Sequence, residues 1–258
     1  FHAKGVSISF PSMRAKGSFA GLTHLLSTQR KTGLTFAPEA GTERLRKVIN
    51  KNIDINELLK VVRAAFESGY RRIKLYFMIG LPTEGYEDLD GIIHLAHTVS
   101  MVRRQVCGKA AEISMSISTF IPKPHTPFQW LAMVPIKELV ARQDYLRKAA
   151  HKSGRYFKIS FHNPYMSQLE SALARGDRRF SKVICDAFGA GAQFDQWDEW
   201  FNYETWQNSF ARNGLPIEEY ATSSFSLGSA LSWDFIDTGI TKYSLKEEYQ
   251  KALTSEEI

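Results

Sequence analysis

Short β-prone runs begin near residues 6, 34, 73, 113 and 157, spaced by 28, 39, 40 and 44 residues, and each gap carries a helical pattern. That alternation limits the fold more than any other feature. Parallel strands need a long crossover, usually a helix, and such crossovers are right-handed. Repeated βα units therefore predict an α/β fold around a parallel sheet. Five units suit a barrel, part of a barrel or a doubly wound sheet, and periodicity does not choose among them. In all of these, ligands bind at the carboxyl ends of the strands.

Val6 to Phe10 reads as a strand stopped by Pro11, and Ser18 as the N-cap of a helix carrying Phe19, Leu22, Leu25 and Leu26 on one face. Strand Leu34–Ala37 runs into the turn Glu39-Ala40-Gly41, with a short helix from Thr42 to about Ile49. Asp54-Ile55-Asn56-Glu57 has the form of a capping box opening a helix that closes at Gly69. Ile73–Ile79 is almost continuously apolar, which predicts a strand covered on both faces. A long helix is expected from Tyr86 to Arg104. Ile113, Met115 and Ile117 then alternate with Ser114, Ser116 and Ser118, the period of a strand. Pro122, Pro124 and Pro127 make 120–127 a loop. Pro135 suits the first turn of a helix ending near Gly154, and Phe157–Phe161 is the last strand.

From Pro164 the character changes, so residues 1–163 and 164–258 are read as two domains, the second a mainly helical appendage. An aromatic run (Phe194, Trp197, Trp200, Phe201, Tyr203, Trp206 and Phe210) has roughly helical spacing. It reads as core, with Trp200 and Trp206 expected to be buried. The alternative is a platform for stacking bases beside Arg175, Arg178 and Arg179. A net charge of +6 and a pI near 9.2 permit a polyanionic partner such as RNA. No apolar run approaches a membrane span, and no signal peptide is apparent. With Cys107 and Cys185 the only cysteines, no disulfide framework is implied. A reducing cytoplasm is the expectation, with both cysteines structural. The chain begins at Phe1 without methionine and reads as part of something longer.

Two short motifs carry the candidate chemistry. Glu39 follows a strand at the start of a helix, where a carboxylate is favoured, and Lys51 can return to it only if the chain turns at Asn50. Gly80-Leu81-Pro82 forms an elbow after the second strand, and His125 sits in the proline loop as a ligand, base or rim residue. No closed metal-site spacing, Gly-rich phosphate loop or serine-hydrolase elbow is present.

The segments LTFAPEAGTERLRKVINK (34–51), KLYFMIGLPTE (74–84) and STFIPKPHT (118–126) closely resemble the radical S-adenosylmethionine superfamily. The nearest group is its members that often carry an N-terminal cobalamin-binding-type domain. The likeness extends through 162–179 and the island Trp233-Asp234-Phe235-Ile236-Asp237-Thr238-Gly239. It implies a partial TIM-like (βα) barrel in which this chain supplies strands three to six. The intact enzyme would use a 4Fe–4S cluster to cleave S-adenosylmethionine to a 5′-deoxyadenosyl radical, for hydrogen abstraction or a methyl or methylthio-type transfer. By the resemblance, Glu39 bonds the cofactor's ribose or amino-acid moiety and Lys51 lies near its carboxylate. Met78, Ile79 and Gly80 pack near the adenine, and Ile121 and Pro122 line the same pocket. Tyr76 stands where some relatives carry a ribose-binding aspartate.

The resemblance also exposes a gap. Three cysteines in a CxxxCxxC loop hold the cluster in this family, and the two cysteines here are far apart. No metal ligand is therefore assigned, and this chain alone is expected to be inactive. An electron donor is implied for the whole enzyme, and cobalamin for the missing N-terminal domain. The competing readings are a basic RNA-binding α/β module and an inactive barrel serving as an assembly surface.

Overall fold

The computed structural model describes residues 33–154 and 156–254, so the strand expected at Val6–Phe10 and the helix after Ser18 lie outside the described residues. Leu34–Glu39 (β1) leads to Glu43–Val48 (α1), Ile55–Glu67 (α2) and Arg72–Ile79 (β2). Tyr86–Cys107 (α3), Glu112–Thr119 (β3), Ile136–Ser153 (α4) and Phe157–Phe161 (β4) follow. The strands form one sheet in the order β1-β2-β3-β4. Leu34 lies opposite Ile73 and Ile113 opposite Phe157, both pairings parallel. A helix fills every connection, so the α/β pattern read from the sequence is the observed one.

The chain divides into two compact units. The first holds the sheet and comprises the described residues up to Ile79, Thr83–Ser118 and Arg142–Phe161; the second comprises Gly80–Pro82, Thr119–Ala141 and His162 onward.

In the first unit, burial alternates along β1, β2 and β3. Leu34, Phe36, Ile73, Leu75, Phe77, Ile113 and Met115 are buried, whereas Thr35, Lys74, Met78, Ser114 and Ser116 are only half-buried. The expectation that 73–79 is covered on both faces is therefore corrected. Tyr76 is exposed, and Lys74 sets its ammonium 4.6 Å from the centre of the Tyr76 ring. Hydrophobic letters at 76 and 78 hid an ordinary two-sided alternation.

Caps set the helix limits. Asp54 accepts from Asn56 N at 2.8 Å and Glu57 N at 3.4 Å, capping α2, but the Glu57 carboxylate turns to Lys60 Nζ at 2.6 Å. The expected box is thus a single N-cap. α2 closes through Tyr70 N to Ala65 O and Gly69 N to Phe66 O, with Gly69 at φ 90°, a Schellman closure. α3 runs three residues past the expected end, to Cys107, where Gly108 takes the left-handed position. Cys107 and Cys185 are both exposed thiols, so neither packs in a core as expected.

The second unit contains Pro164–Arg175 (α5), Phe180–Gly189 (α6), Tyr203–Arg212 (α7), Ile217–Thr222 (α8) and Lys242–Thr254 (α9). The segment just after the proline loop joins the rest of this unit by backbone: Phe225 N donates to Trp130 O at 2.8 Å and Met133 N to Ala221 O at 3.2 Å. Trp130, Leu231, Trp233 and Leu245 form a core, and Trp233 Nε1 donates to Gln129 Oε1 at 2.6 Å. The 233–239 island is held by its tryptophan, while Phe235 projects outward.

The aromatic run is not one helix. α6 ends at Gly189, and the Asn202 side chain caps α7 by accepting from Thr205 N. Trp206 and Phe210 are buried on α7, as expected, but Trp200 is 63% exposed. Of the three arginines proposed to face RNA, Arg178 is exposed and the other two are differently employed. Arg175 is buried, donating to the carbonyls of Tyr220, Ala221 and Ser223. Its guanidinium lies 4.6 Å from the Phe225 ring centre, and burial lowers its pKa to about 10. Arg179 binds the Asp177 carboxylate and the Tyr220 hydroxyl, which holds Asp177 below its ordinary range. Among the described residues, no helix is long and apolar enough to cross a membrane.

The two tryptophans should separate in a stability measurement. Trp206→Ala is expected to destabilise by about 3–5 kcal/mol, as for a large ring removed from a core. Trp200→Ala should change stability by under about 0.5 kcal/mol. Urea denaturation of both variants against the parent chain checks this; equal losses would contradict the exposure of Trp200.

Candidate functional site

β1 carries one residue more than its partner. Phe36 lies opposite Leu75 and Glu39 opposite Phe77, so three steps on β1 match two on β2. A bulge of this kind re-aims the strand end, and Pro38, which has no N–H to leave unpaired, is suited to it. Glu39 then takes a φ of 68°, a left-handed conformation uncommon for a residue with a β-carbon. Such strain persists where surrounding contacts impose it and tends to gather at functional sites.

The contact that meets Glu39 is built by the end of α1. Asn50 N donates to Lys47 O at 2.9 Å and Lys51 N to Arg46 O at 2.8 Å, with Asn50 at φ 51°. This is a Schellman closure with asparagine in the left-handed position. It is the turn at Asn50 on which the return of Lys51 depended. Lys51 Nζ lies 3.0 Å from Glu39 Oε1, with the two side chains 34% and 23% exposed. A pair this accessible contributes at most about 1 kcal/mol to stability. It offers a ligand one anionic and one cationic group side by side at the carboxyl end of β1.

Three other residues of the same motif are scaffold, and sequence reasoning missed them. Asp88, 3% exposed in the first turn of α3, accepts from Thr42 Oγ1, from Arg44 Nη2 at 2.5 Å and from Gly85 N at 2.9 Å. Arg44 also donates to Thr83 Oγ1 at 3.0 Å and Thr83 O at 2.9 Å. Buried Arg46 donates to Ala40 O at 3.0 Å and Gly41 O at 3.2 Å, and its burial lowers its pKa. Thr42 itself caps α1 by accepting from Leu45 N. Gly41 lets α3 approach: a Cβ there would lie 2.3 Å from Ile92 N and 2.4 Å from Asp88 O. An acidic residue at the third position of a helix behind a glycine cap was the available signal for Asp88.

The remaining predicted residues divide. Tyr76 and Met78 lie on the less buried face of β2, the strand adjoining β1. Ile79 is buried in the core, leaving its backbone for any pocket role. Gly80, Ile121 and Pro122 belong to the second unit. There Gly80 has φ 79°, and a Cβ on it would sit 3.3 Å from Val134 and Leu139 methyls. Ile121 is half-buried and Pro122 buried. His125 is half-buried at φ 57°, its backbone N donating to Gln129 Oε1 at 3.1 Å. Among the described residues, no group of three His, Cys, Asp or Glu is placed to hold a metal ion.

The second unit has an open cleft of about 540 Å³, lined by Lys123, His162, Met166, Glu170, Asp195 and Phe201 among others. Lys123 pairs with Glu170, and His162 Nδ1 lies 2.9 Å from Ser167 Oγ. The sequence marked Phe201 through the aromatic run and Lys123, His162, Met166 and Glu170 only by their place in the resemblance; Asp195 it did not mark.

Scaffold and accessible pair should respond differently to mutation. Asp88→Asn removes a buried charge-assisted acceptor and is expected to destabilise by about 1.5–3 kcal/mol. Glu39→Gln is expected to change stability by under about 1 kcal/mol. Gly41→Ala forces backbone apart and should destabilise by about 1–3 kcal/mol. Denaturation midpoints of the three variants check the order, and a Glu39→Gln loss equal to that of Asp88→Asn would make Glu39 scaffold.

No family model matches the chain. It is similar to an uncharacterised protein of Methanocaldococcus jannaschii, at 35% identity over 182 residues. That match takes in 70% of this chain and 37% of the relative, so the chain spans well under half of that protein's length.

Proposed function

We propose that this chain is the S-adenosylmethionine-binding part of a radical S-adenosylmethionine enzyme, with Glu39 and Lys51 as cofactor contacts. The observation that carries the reading is their 3.0 Å pairing at the carboxyl end of β1. The motif that resembles the superfamily folds back so that its two assigned polar residues meet, while Thr42, Arg44 and Arg46 hold the turn in place. Glu39 offers an acceptor to ribose hydroxyls or to an ammonium group, and Lys51 a compact cation to a carboxylate. Tyr76 and Met78 stand on the neighbouring strand with their side chains outside the core.

Two features support part of a (βα) barrel. Among the described residues the strand order is sequential, without the reversal that marks a doubly wound sheet. On β2 and β3 one face is buried and apolar, and the other, carrying Lys74, Tyr76 and Met78 on β2 and three serines on β3, is half-buried or exposed. Two distant cysteines cannot supply three thiolates, so the reading assigns the 4Fe–4S cluster ligands to sequence other than this chain. That cluster would supply the electron for reductive cleavage of S-adenosylmethionine held by Glu39 and Lys51, the chemistry behind hydrogen abstraction or group transfer. A cytoplasmic setting and an electron donor belong to the same proposal.

The test is cofactor affinity in the intact protein, with variants matched for iron content. Losing a charge-assisted hydrogen bond worth roughly 1.5–3 kcal/mol should weaken S-adenosylmethionine binding about 10- to 150-fold. Glu39→Ala and Lys51→Ala are both expected to do so without loss of iron. If both bind the cofactor as the parent does, the pair is scaffold and the assignment fails.

A further inference from the structure

Residues 184–200 form an apolar surface inside an acidic stretch. α6 buries Phe180, Val183 and Ala187 but turns Ile184 and Phe188 outward. After Gly191, at φ 98°, Phe194 (φ 56°), Trp197 and Trp200 follow through short turns in which Trp197 N donates to Phe194 O and Trp200 N to Trp197 O. These five large side chains are between 47% and 68% exposed. Four of them are contiguous: Ile184, Phe188 and Phe194 line one groove of about 440 Å³, and the Phe194 and Trp200 ring centres lie 6.3 Å apart. Exposed apolar residues in such a cluster, rather than scattered singly, mark interaction surfaces.

Charge narrows the occupant. From Val183 to Glu204 there is no lysine or arginine, but there are five carboxylates (Asp186, Asp195, Asp198, Glu199 and Glu204), in a chain whose net charge is +6. That excess repels a nucleic-acid backbone, which binds through lysine and arginine. It attracts a cation, and tryptophan faces are the preferred partners of guanidinium groups. The groove itself holds two buried polar atoms without hydrogen-bond partners, Asp195 Oδ1 and Trp206 Nε1. One accepts and one donates, which matches the N–H and C=O of a peptide backbone or an arginine beside a carbonyl.

We propose that the face formed by α6 and the 194–200 turns is a docking site for a basic polypeptide segment of another protein. Apolar anchors of that segment fill the groove between Ile184, Phe188 and Phe194. Its arginines meet Trp197, Trp200 and the carboxylates of Asp198 and Glu199. The inference is independent of the cofactor assignment, because it uses neither Glu39 nor Lys51.

The test uses a labelled synthetic amphipathic helix of leucine, tryptophan and arginine, with its glutamate-for-arginine counterpart, and fluorescence anisotropy on the whole chain. The basic peptide is expected to bind saturably and the acidic one not at all. Trp197→Ala with Trp200→Ala, and separately Asp198→Lys with Glu199→Lys, should each weaken binding about tenfold or more at an unchanged melting temperature. Since all four side chains are exposed, the two pairs of substitutions leave the core intact. Equal binding of both peptides, or equal binding by parent and variants, would overturn the proposal. So would binding of a single-stranded RNA that the tryptophan variant abolishes, or self-association of the chain through this face.

Discussion

A single buried carboxylate holds the first unit's strand ends to its longest helix. Asp88 lies in the first turn of α3, yet two of its donors come from the 42–44 segment, some forty residues earlier. A carboxylate taken out of water is tolerable only when its lone pairs are met, and three donors meet those of Asp88. The consequence is geometric. The turn after β1, the loop after β2 and the start of α3 share one acceptor, so none of them shifts alone. Gly41 is the steric counterpart, since a side chain there would push α3 away from that acceptor.

This arrangement separates support from availability within one short motif. Thr42, Arg44 and Arg46 spend their hydrogen bonds on the scaffold. Glu39 and Lys51 face each other with substantial solvent access, and the left-handed backbone at Glu39 and Asn50 sets them there. Groups that contribute little to stability but are held by strained backbone at a strand's carboxyl end suit the contact of a ligand better than the maintenance of a fold.

The second unit is organised by a buried cation. Arg175 satisfies three carbonyls around the end of α8 and lies against Phe225, so a basic residue that looked available to a polyanion is an interior tie. Gln129 does similar work, accepting from both Trp233 Nε1 and His125 N. These ties explain why the proline loop belongs to this unit although the chain passes through the sheet before and after it.

Local pattern alone determined the parallel α/β order, the helix limits near Asp54 and Gly69, and the condition that Lys51 needs a reversal at Asn50. Those follow from backbone chemistry and periodicity, which act over a few residues. Tertiary structure decided what depends on distant partners. Hydropathy could not tell Trp200 from Trp206, because both are tryptophan and only one meets a core. It could not show that one face of β2 is open, since Tyr76 and Met78 are apolar wherever they point. Nor could charge tell Arg175, buried among carbonyls, from Arg178 in solvent, because a guanidinium's role is set by the acceptors that folding brings to it.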